Sequence, residues 1–201
     1  MTVAQVAATL ADDPRLIVPI GTLERYASNL PVGASTMITE HLADDLSAEY
    51  GILRAPTVEY GVNPEHPGGF AGRVSLRKKT LHRTLNDMIA TWELNGVTEF
   101  ILITAHGYDP HQEALDTLAT VSARLRVVDP FAVNLSDLIG SRRRSDDRAP
   151  LYVALLRHLA PGVITDTEDD ASHTAELGAK LYERIRARIS ERIFLAPVPT
   201  E

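Results

Sequence analysis

The stretch that decides the fold is LIVPIGTLERYASNLPVGAS, residues 16–35. Its apolar start, residues 16–20, runs into Gly21, and no helical period begins before Met37. This pattern predicts a short strand that is buried on both faces and opens into a long polar loop. In open α/β sheets, the loops at the carboxyl ends of the strands hold ligands. Glu24 follows the glycine by three residues, so we expect it at that edge of the sheet.

The rest of the chain repeats the change from strand to helix. Further strands are predicted over residues 52–58, 99–104 and 126–128, with a brief one at 163–164. Helices are predicted over residues 3–10, 37–50, 75–94, 111–125, 134–139, 151–159 and 172–193, with Ser75 capping the third and Asn95-Gly96 ending it. This order implies an α/β fold, a three-layer α/β/α sandwich with a mostly parallel sheet. The loops after residues 20 and 104 then emerge at the same edge.

Composition limits the class of protein. A chain of 201 residues with 44% hydrophobic content predicts one domain, residues 1–201. The net charge of -7 argues against nucleic acid or an anionic membrane as a partner. The absence of cysteine excludes thiolate metal sites and a cysteine nucleophile, and no apolar run is long enough to cross a bilayer. We therefore expect a cytoplasmic protein whose partner is a small-molecule substrate or ligand.

Two polar stretches have the composition of loops. Residues 59–73, EYGVNPEHPGGFAGR, contain four glycines and two prolines, and a loop of this length inside a domain is usually functional or mobile. Residues 141–150, SRRRSDDRAP, predict a solvated loop. They contain the basic run Arg142-Arg143-Arg144, which is followed by Asp146, Asp147 and Arg148. The alternative for this second loop is a lid over the pocket or a contact with another subunit.

Four segments of the chain resemble the creatininase (creatinine amidohydrolase) family. VPIGTLERYASNLPVGAS at 18–35 is similar to the family's VPVGSxEQHGPHLPLGTD, and YGVNPEHPGGFAGRVSL at 60–76 to its YGxSxEHxxFPGTISL. FILITAHGYD at 100–109 resembles a strand ending in NGHGGN, and HTAELGAKLYERI at 173–185 resembles an ATAEKG helix. The FAG variant in the second segment is nearest to the subgroup associated with mycofactocin maturation.

The resemblance implies a three-layer sandwich that assembles as a homo-oligomer, usually a hexamer. It also implies hydrolysis of a carbon-nitrogen bond by two divalent metals that share a carboxylate and generate a hydroxide. The implied ligands are the Glu and His of the first loop, the Asp that closes it, the His after the third strand and one further carboxylate. The family's HAGExETS motif, which supplies a catalytic His, has no counterpart in this sequence.

Only two of the implied metal ligands are present, Glu24 and His106. Tyr26 and Asn29 stand where the family has histidines, and Ser35 stands where it has the bridging Asp. Two adjacent divalent cations need several anionic ligands to offset their repulsion, so we expect no metal pair. We predict no cofactor. The alternative is a single Zn, Mn or Fe ion on Glu24 and His106, with Asp109 or His111 recruited.

The candidate catalytic residues are Glu24, His66 and His106, which match the family's loop Glu, its EH pair and its strand-end His. Arg73 replaces the Thr of the family's PGT. Its guanidinium can bind a carboxylate through two parallel N–H donors, and its positive charge disfavours metal ions nearby. The residues predicted to line a polar pocket are Tyr26, Asn29, Ser35, Arg73, Tyr108 and Asp109.

Two hypotheses of different classes follow. In the first, the chain is a hydrolase of a small amide, lactam or other cyclic C–N substrate that works with at most one metal or with acid-base groups alone. In the second, it is a catalytically silent homologue that keeps the fold and the pocket as a ligand-binding or oligomeric structural module.

Overall fold

Four parallel strands form the sheet that carries the site. In the computed structural model, which describes residues 1–65, 71–139, 148–165 and 174–195, they are β1 (Arg15–Pro19), β2 (Leu53–Arg54), β3 (Glu99–Ile103) and β4 (Arg124–Val128). Their order in the sheet is β2-β1-β3-β4. Pro19 at the end of β1 pairs with Ile103 at the end of β3. The loops that follow these strands therefore leave the sheet side by side.

Helices cover both faces of the sheet. They are α1 (Val3–Asp12), α2 (Ala34–Tyr50), α3 (Lys78–Leu94), α4 (Asp109–Asp116), α5 (Ser136–Ile139), α6 (Ala149–Leu159) and α7 (Ala175–Ile189), which continues as a π-helix over Ser190–Phe194. Short 3-10 helices occur at Pro130–Ala132 and Pro161–Val163. Among the described residues, no helix is long and apolar enough to cross a membrane.

The strands divide their side chains between two cores. Ile17 and Ile101 pack into a core with residues of α2, α6 and α7. Leu16 and Phe100, their neighbours in sequence, pack into a second core with residues of α3 and α4. Alternate residues of a strand point to opposite faces, and all four of these side chains are inaccessible to solvent. The predicted α/β sandwich with a parallel sheet is confirmed.

Several predicted boundaries are wrong for identifiable reasons. The second strand ends at Arg54 and not at residue 58, because Pro56 has no amide proton to donate to the neighbouring strand. Beyond Pro56, the chain pairs again with the end of the first strand through one bridge, between Ile20 and Val58. Helix α2 begins at Ala34, three residues earlier than expected, after Gly33 in a left-handed conformation (φ 90°). The predicted strand at 163–164 is absent, since residues up to Val163 form a 3-10 turn.

Two further boundaries depend on contacts between distant segments. Ser75 does not cap α3, which begins at Lys78 after Arg77; instead, Ser75 Oγ accepts a hydrogen bond from the amide of Asn63 at 2.9 Å. Helix α4 ends at Asp116 rather than at residue 125. The carboxylate of Glu93 accepts backbone amides of residues 121–123 and holds a turn there, which lets β4 begin at Arg124.

Candidate functional site: a buried polar cluster beside an open cleft

A buried polar cluster lies where the loops after β1 and β3 meet. We use this name for Glu24, Tyr26, Ser35, Arg73, His106 and His111. Glu24 and Tyr26 come from the first loop, Ser35 from the first turn of α2, and His106 from the loop after β3. Glu24, Ser35, His106 and His111 are each less than 5% exposed. The parallel register of β1 and β3 brings these groups together, as the sequence predicts for residues at one sheet edge.

Arg73 and Glu24 form an ion pair inside the cluster. The Arg73 Nε donates to Glu24 Oε2 at 3.1 Å, and the two side chains are only 10% and 5% exposed. The other carboxylate oxygen, Oε1, accepts the amide of Arg25 at 3.0 Å. The pair forms because the chain around Arg73 runs antiparallel to the first loop, with a bridge between Leu23 and Val74. Both oxygens of Glu24 are therefore engaged within the protein.

His106 is held at both ring nitrogens. Its Nε2 lies 2.9 Å from the carbonyl of Val62, and its Nδ1 lies 2.7 Å from the hydroxyl of Tyr26, which is also hydrogen-bonded to Ser35 Oγ at 2.9 Å. A carbonyl can only accept, so we assign the proton to Nε2 and the phenol of Tyr26 as donor to Nδ1. Burial lowers the pKa of His106 to about 4, opposed by the bond to Val62 and assisted by nearby Arg148.

His111 completes the cluster, although the sequence suggested for it only the start of a helix or a recruited ligand. Its Nδ1 accepts the amide of Val62 at 3.2 Å, and its Nε2 donates to Thr104 Oγ1 at 3.1 Å. Burial, followed by the nearby His106, lowers its pKa to about 3. A Cβ on Gly61 would lie 2.7 Å from the His111 ring, so the glycine makes room for it. The two neutral imidazoles thus bind the N–H and the C=O of one residue, Val62.

Arg148 is not solvated as the sequence predicted, because its side chain is only 18% exposed and forms a second ion pair with Asp129 at this edge. Arg148 donates to both carboxylate oxygens of Asp129, at 3.0 and 2.7 Å, and to the carbonyl of Ala105 at 3.0 Å. Burial opposes the charged form, but the hydrogen bond and charge of Asp129 raise the pKa of Arg148. A Cβ on Gly107 would collide with this guanidinium. Residue 107 must therefore be small for Arg148 to reach its place.

The remaining predicted site residues lie at the margin of the cluster or outside it. Tyr108 is partly exposed and lines the cleft described below. Asn29 is buried at 8% exposure, and its carbonyl accepts the amide of Thr165. Asp109 is exposed in the first turn of α4 and makes no hydrogen bond to the cluster. His66 lies outside the described residues, as do residues 141–147 of the charged loop.

An open cleft of about 1010 Å³ adjoins the cluster. Arg73 belongs to both regions, because its side chain lines the cleft while its Nε binds Glu24. The cleft is also lined by the segment that leads into α3 and by residues 62–65. Its lining side chains include Asn63, Glu65, Ser75, Arg77, Lys78 and Tyr108.

Comparison with known proteins places the chain in a family. The sequence profile of the Creatininase family, described as creatinine amidohydrolase, matches residues 1–150. The chain belongs to the creatininase family. Its relatives include the 3-dehydro-scyllo-inosose hydrolase of Thermotoga maritima, 28% identical over 109 residues, which are 54% of this chain and 35% of that protein. The mycofactocin precursor peptide peptidase of Mycolicibacterium smegmatis is 25% identical over 189 residues, 87% of this chain and 69% of that protein.

Solved creatininases share the fold. A crystal structure of creatinine amidohydrolase superposes with a TM-score of 0.83 at 18% identity, covering 100% of this chain and 97% of that chain. Solved creatininases also include a Zn-Zn form and a Mn form, each with a TM-score of 0.80 and 16% identity. Each superposition covers 96% of this chain. It covers 96% of the Zn-Zn chain and 97% of the Mn chain. The relatives named in these comparisons are thus hydrolases, and some of the solved ones are metal forms.

The donors that the structure describes do not form a site for a metal pair. Within the described ranges, no group of three or more His, Asp or Glu side chains is arranged to hold a metal ion. Two residues match the family's metal ligands, and both are hydrogen-bonded within the protein. Glu24 accepts from Arg73, and the ring nitrogens of His106 bind Tyr26 and Val62. A cation placed on Glu24 would also lie beside the positive charge of Arg73.

Proposed function

We propose that this creatininase-family chain binds a small molecule without paired metal ions and does not carry out two-metal hydrolysis. The observation that supports this most directly is the ion pair of Arg73 and Glu24. The family resemblance assigns the Glu24 carboxylate to a metal ion, and here the guanidinium of Arg73 binds it instead. In this proposal, the protein keeps the family fold and uses the open cleft as its ligand-binding site.

Hydrogen bonding within the cluster adds to this argument. A metal ligand needs a free lone pair, and a general base needs an accessible one. The Nδ1 lone pair of His106 accepts from Tyr26, and the pKa of about 4 makes the ring a weak base at neutral pH. Burial also raises the pKa of Tyr26, so the phenol stays protonated and keeps its bond to the imidazole.

Metal analysis tests the proposal. The purified protein is equilibrated with Zn²⁺ or Mn²⁺, dialysed, and analysed by mass spectrometry of the elements. We expect clearly less than one tightly bound ion per chain. A matched variant, Arg73→Thr, removes the guanidinium and restores the residue that the family resemblance places there; we expect it to gain metal affinity relative to the wild type. A stoichiometry near two ions per wild-type chain would overturn the proposal.

Hydrolysis without metals is the second candidate. It is favoured by the 2.7 Å contact of Tyr26 with His106, a phenol-imidazole pair of the kind used in acid-base catalysis, and by the hydrolase relatives. Panels of small amides and lactams would reveal such turnover, and Tyr26→Phe, which keeps the ring in place, should then abolish it. Turnover that survives Tyr26→Phe, Glu24→Gln and His106→Ala would remove these residues from the mechanism.

The homo-oligomer implied by the resemblance belongs to the same proposal. Light scattering on the purified chain measures its mass directly, and a hexamer is the expected state. A monomer at all concentrations would contradict this part of the proposal without affecting the argument on metals.

A further inference from the structure

We infer that the cleft beside the buried polar cluster binds the anionic group of a small molecule, a carboxylate or a phosphate. This inference rests on the proposed function, since it names the chemistry of the ligand that the module holds. Two features of the cleft support it: the terminal nitrogens of Arg73, which make no hydrogen bond within the buried polar cluster, and the start of α3.

The first feature is the free end of Arg73. Its Nε is used by Glu24, whereas its two terminal nitrogens make no hydrogen bond to the described residues. The side chain is only 10% exposed, and it lines the cleft. A guanidinium that is bound at Nε still has its two terminal nitrogens as donors. Together they can donate two parallel hydrogen bonds to the two oxygens of a carboxylate or phosphate. Burial and the Glu24 contact fix the orientation of this fork before any ligand arrives.

The second feature is the uncapped start of α3. Arg77 occupies the N-cap position, no side chain caps the helix, and the first turn contains no acidic residue. A helix of 17 residues carries a partial positive charge and unsatisfied amides at this end. Arg77 and Lys78 line the same cleft as Arg73. The helix terminus and the guanidinium fork are thus independent features of one cavity, and both select a negative charge.

The charges around the cleft limit the kind of anion. Two of the three cationic side chains in the lining already have carboxylate partners, Arg73 with Glu24 and Lys78 with Glu113, and Glu65 adds a negative charge to the lining. The side chain of Arg77 is exposed and makes no ion pair with the described residues. The chain as a whole carries -7, which opposes the approach of anions from a distance. Specific donors, and not the overall field, must therefore hold the ligand.

Calorimetric titration tests the inference with three probes at constant ionic strength: inorganic phosphate, succinate and neutral glycerol. We expect saturable binding of phosphate, succinate or both, at one site per chain, and none of glycerol. Phosphate binding alone identifies a phosphate-bearing ligand, and succinate binding alone a carboxylate. The inference is overturned if neither anion saturates a site, or if glycerol binds as well as they do.

A matched pair of variants locates the site. Arg77→Ala removes an exposed charge that lines the cleft, and we expect binding to weaken about tenfold or more. Lys79→Ala removes the same charge two residues along α3, from a side chain outside this cleft, and should change binding about twofold or less. Equal loss in both variants would show general electrostatics and overturn the site.

The two proposals can fail separately, because metal content is measured on the same preparation. Anion binding by a chain that holds two metals per subunit would refute the proposed function. A metal-poor chain that binds neither anion would refute this inference alone.

Discussion

The buried polar cluster and the cleft share Arg73 but differ in how their polar groups are satisfied. In the cluster, both oxygens of Glu24 and both ring nitrogens of His106 have partners within the protein. In the cleft, the exposed side chain of Arg77 and the end of Arg73 have none among the described residues. Groups that are fully paired stabilise the fold, whereas donors that have no partner among the described residues are available to a ligand. In the function proposed above, the carboxylate that the family resemblance assigns to metal has a structural role, and the neighbouring cleft binds the ligand.

Among the substitutions that test this difference between cluster and cleft, Arg73→Met has the largest expected effect. It keeps the bulk of the side chain and removes its charge. Glu24 would be left as a buried, unpaired carboxylate, and we expect the free energy of unfolding to fall by about 4 kcal/mol. Urea denaturation measures the change. As control, Glu24→Gln combined with Arg73→Met removes both charges and should recover about half of the loss. A loss below about 1 kcal/mol for Arg73→Met would mean that the ion pair is not structural.

Acid should weaken the cluster through its two histidines. Their pKa values of about 4 and about 3 lie below the value of about 6.5 for an unfolded chain, so the unfolded state binds more protons at intermediate pH. Stability is then complete above pH 6.5 and decreases as the pH falls towards 4 and 3. From these values we expect a loss of about 2 kcal/mol between pH 7 and pH 5.5.

Urea denaturation at these two pH values measures the acid effect, and NMR of the imidazole resonances assigns it. His111→Gln keeps a polar side chain that does not titrate, and it should halve the dependence on pH. If either imidazole titrates near pH 6.5 in the folded protein, the interpretation of the cluster as closed and neutral is wrong.

The parts of the fold that sequence predicted correctly depend on local patterns. The apolar runs before Gly21 and after Asn95-Gly96 specify β1 and β3, and their parallel pairing brings Glu24 and His106 to one edge. The missed boundaries depend on distant contacts. The turn before β4 is held by Glu93, which lies 28 to 30 residues earlier in the chain, and the sequence around the turn contains no glycine or proline to mark it.

The candidate site shows the same division. The substitution of Arg73 for Thr gave a local reason to expect a carboxylate partner, and the structure pairs it with Glu24. The burial of His111 depends on the missing side chain of Gly61, fifty residues earlier, and the position of Arg148 depends on Gly107. The sequence shows both glycines, but it does not show which side chains approach them. Their meaning appears only when the three-dimensional neighbours are known.

A smaller effect is expected from Tyr26→Phe. Loss of the hydroxyl leaves Nδ1 of His106 without a donor in a buried position, which should cost about 1.5 kcal/mol. Ser35→Ala removes the other partner of the phenol and leaves the bond to His106 intact, so its cost should be smaller. Thermal and urea unfolding would rank the two variants. The reverse order would show that the bond of Tyr26 to Ser35 is the more important one.

The smallest expected effect has the opposite sign and separates stability from binding. Arg77→Ser places a capping side chain at the start of α3, where none exists, and should stabilise the protein by about 1 kcal/mol. The same change removes a cation from the cleft and offers the free amides of the helix an internal partner, so anion binding should weaken. Lys79→Ala serves as the control, because it changes neither the cap nor the lining of this cleft. A stabilised Arg77→Ser variant with unimpaired anion binding would show that the uncapped helix end does not serve the ligand. A destabilised one would show that Arg77 already supports the fold in the way the buried cluster does.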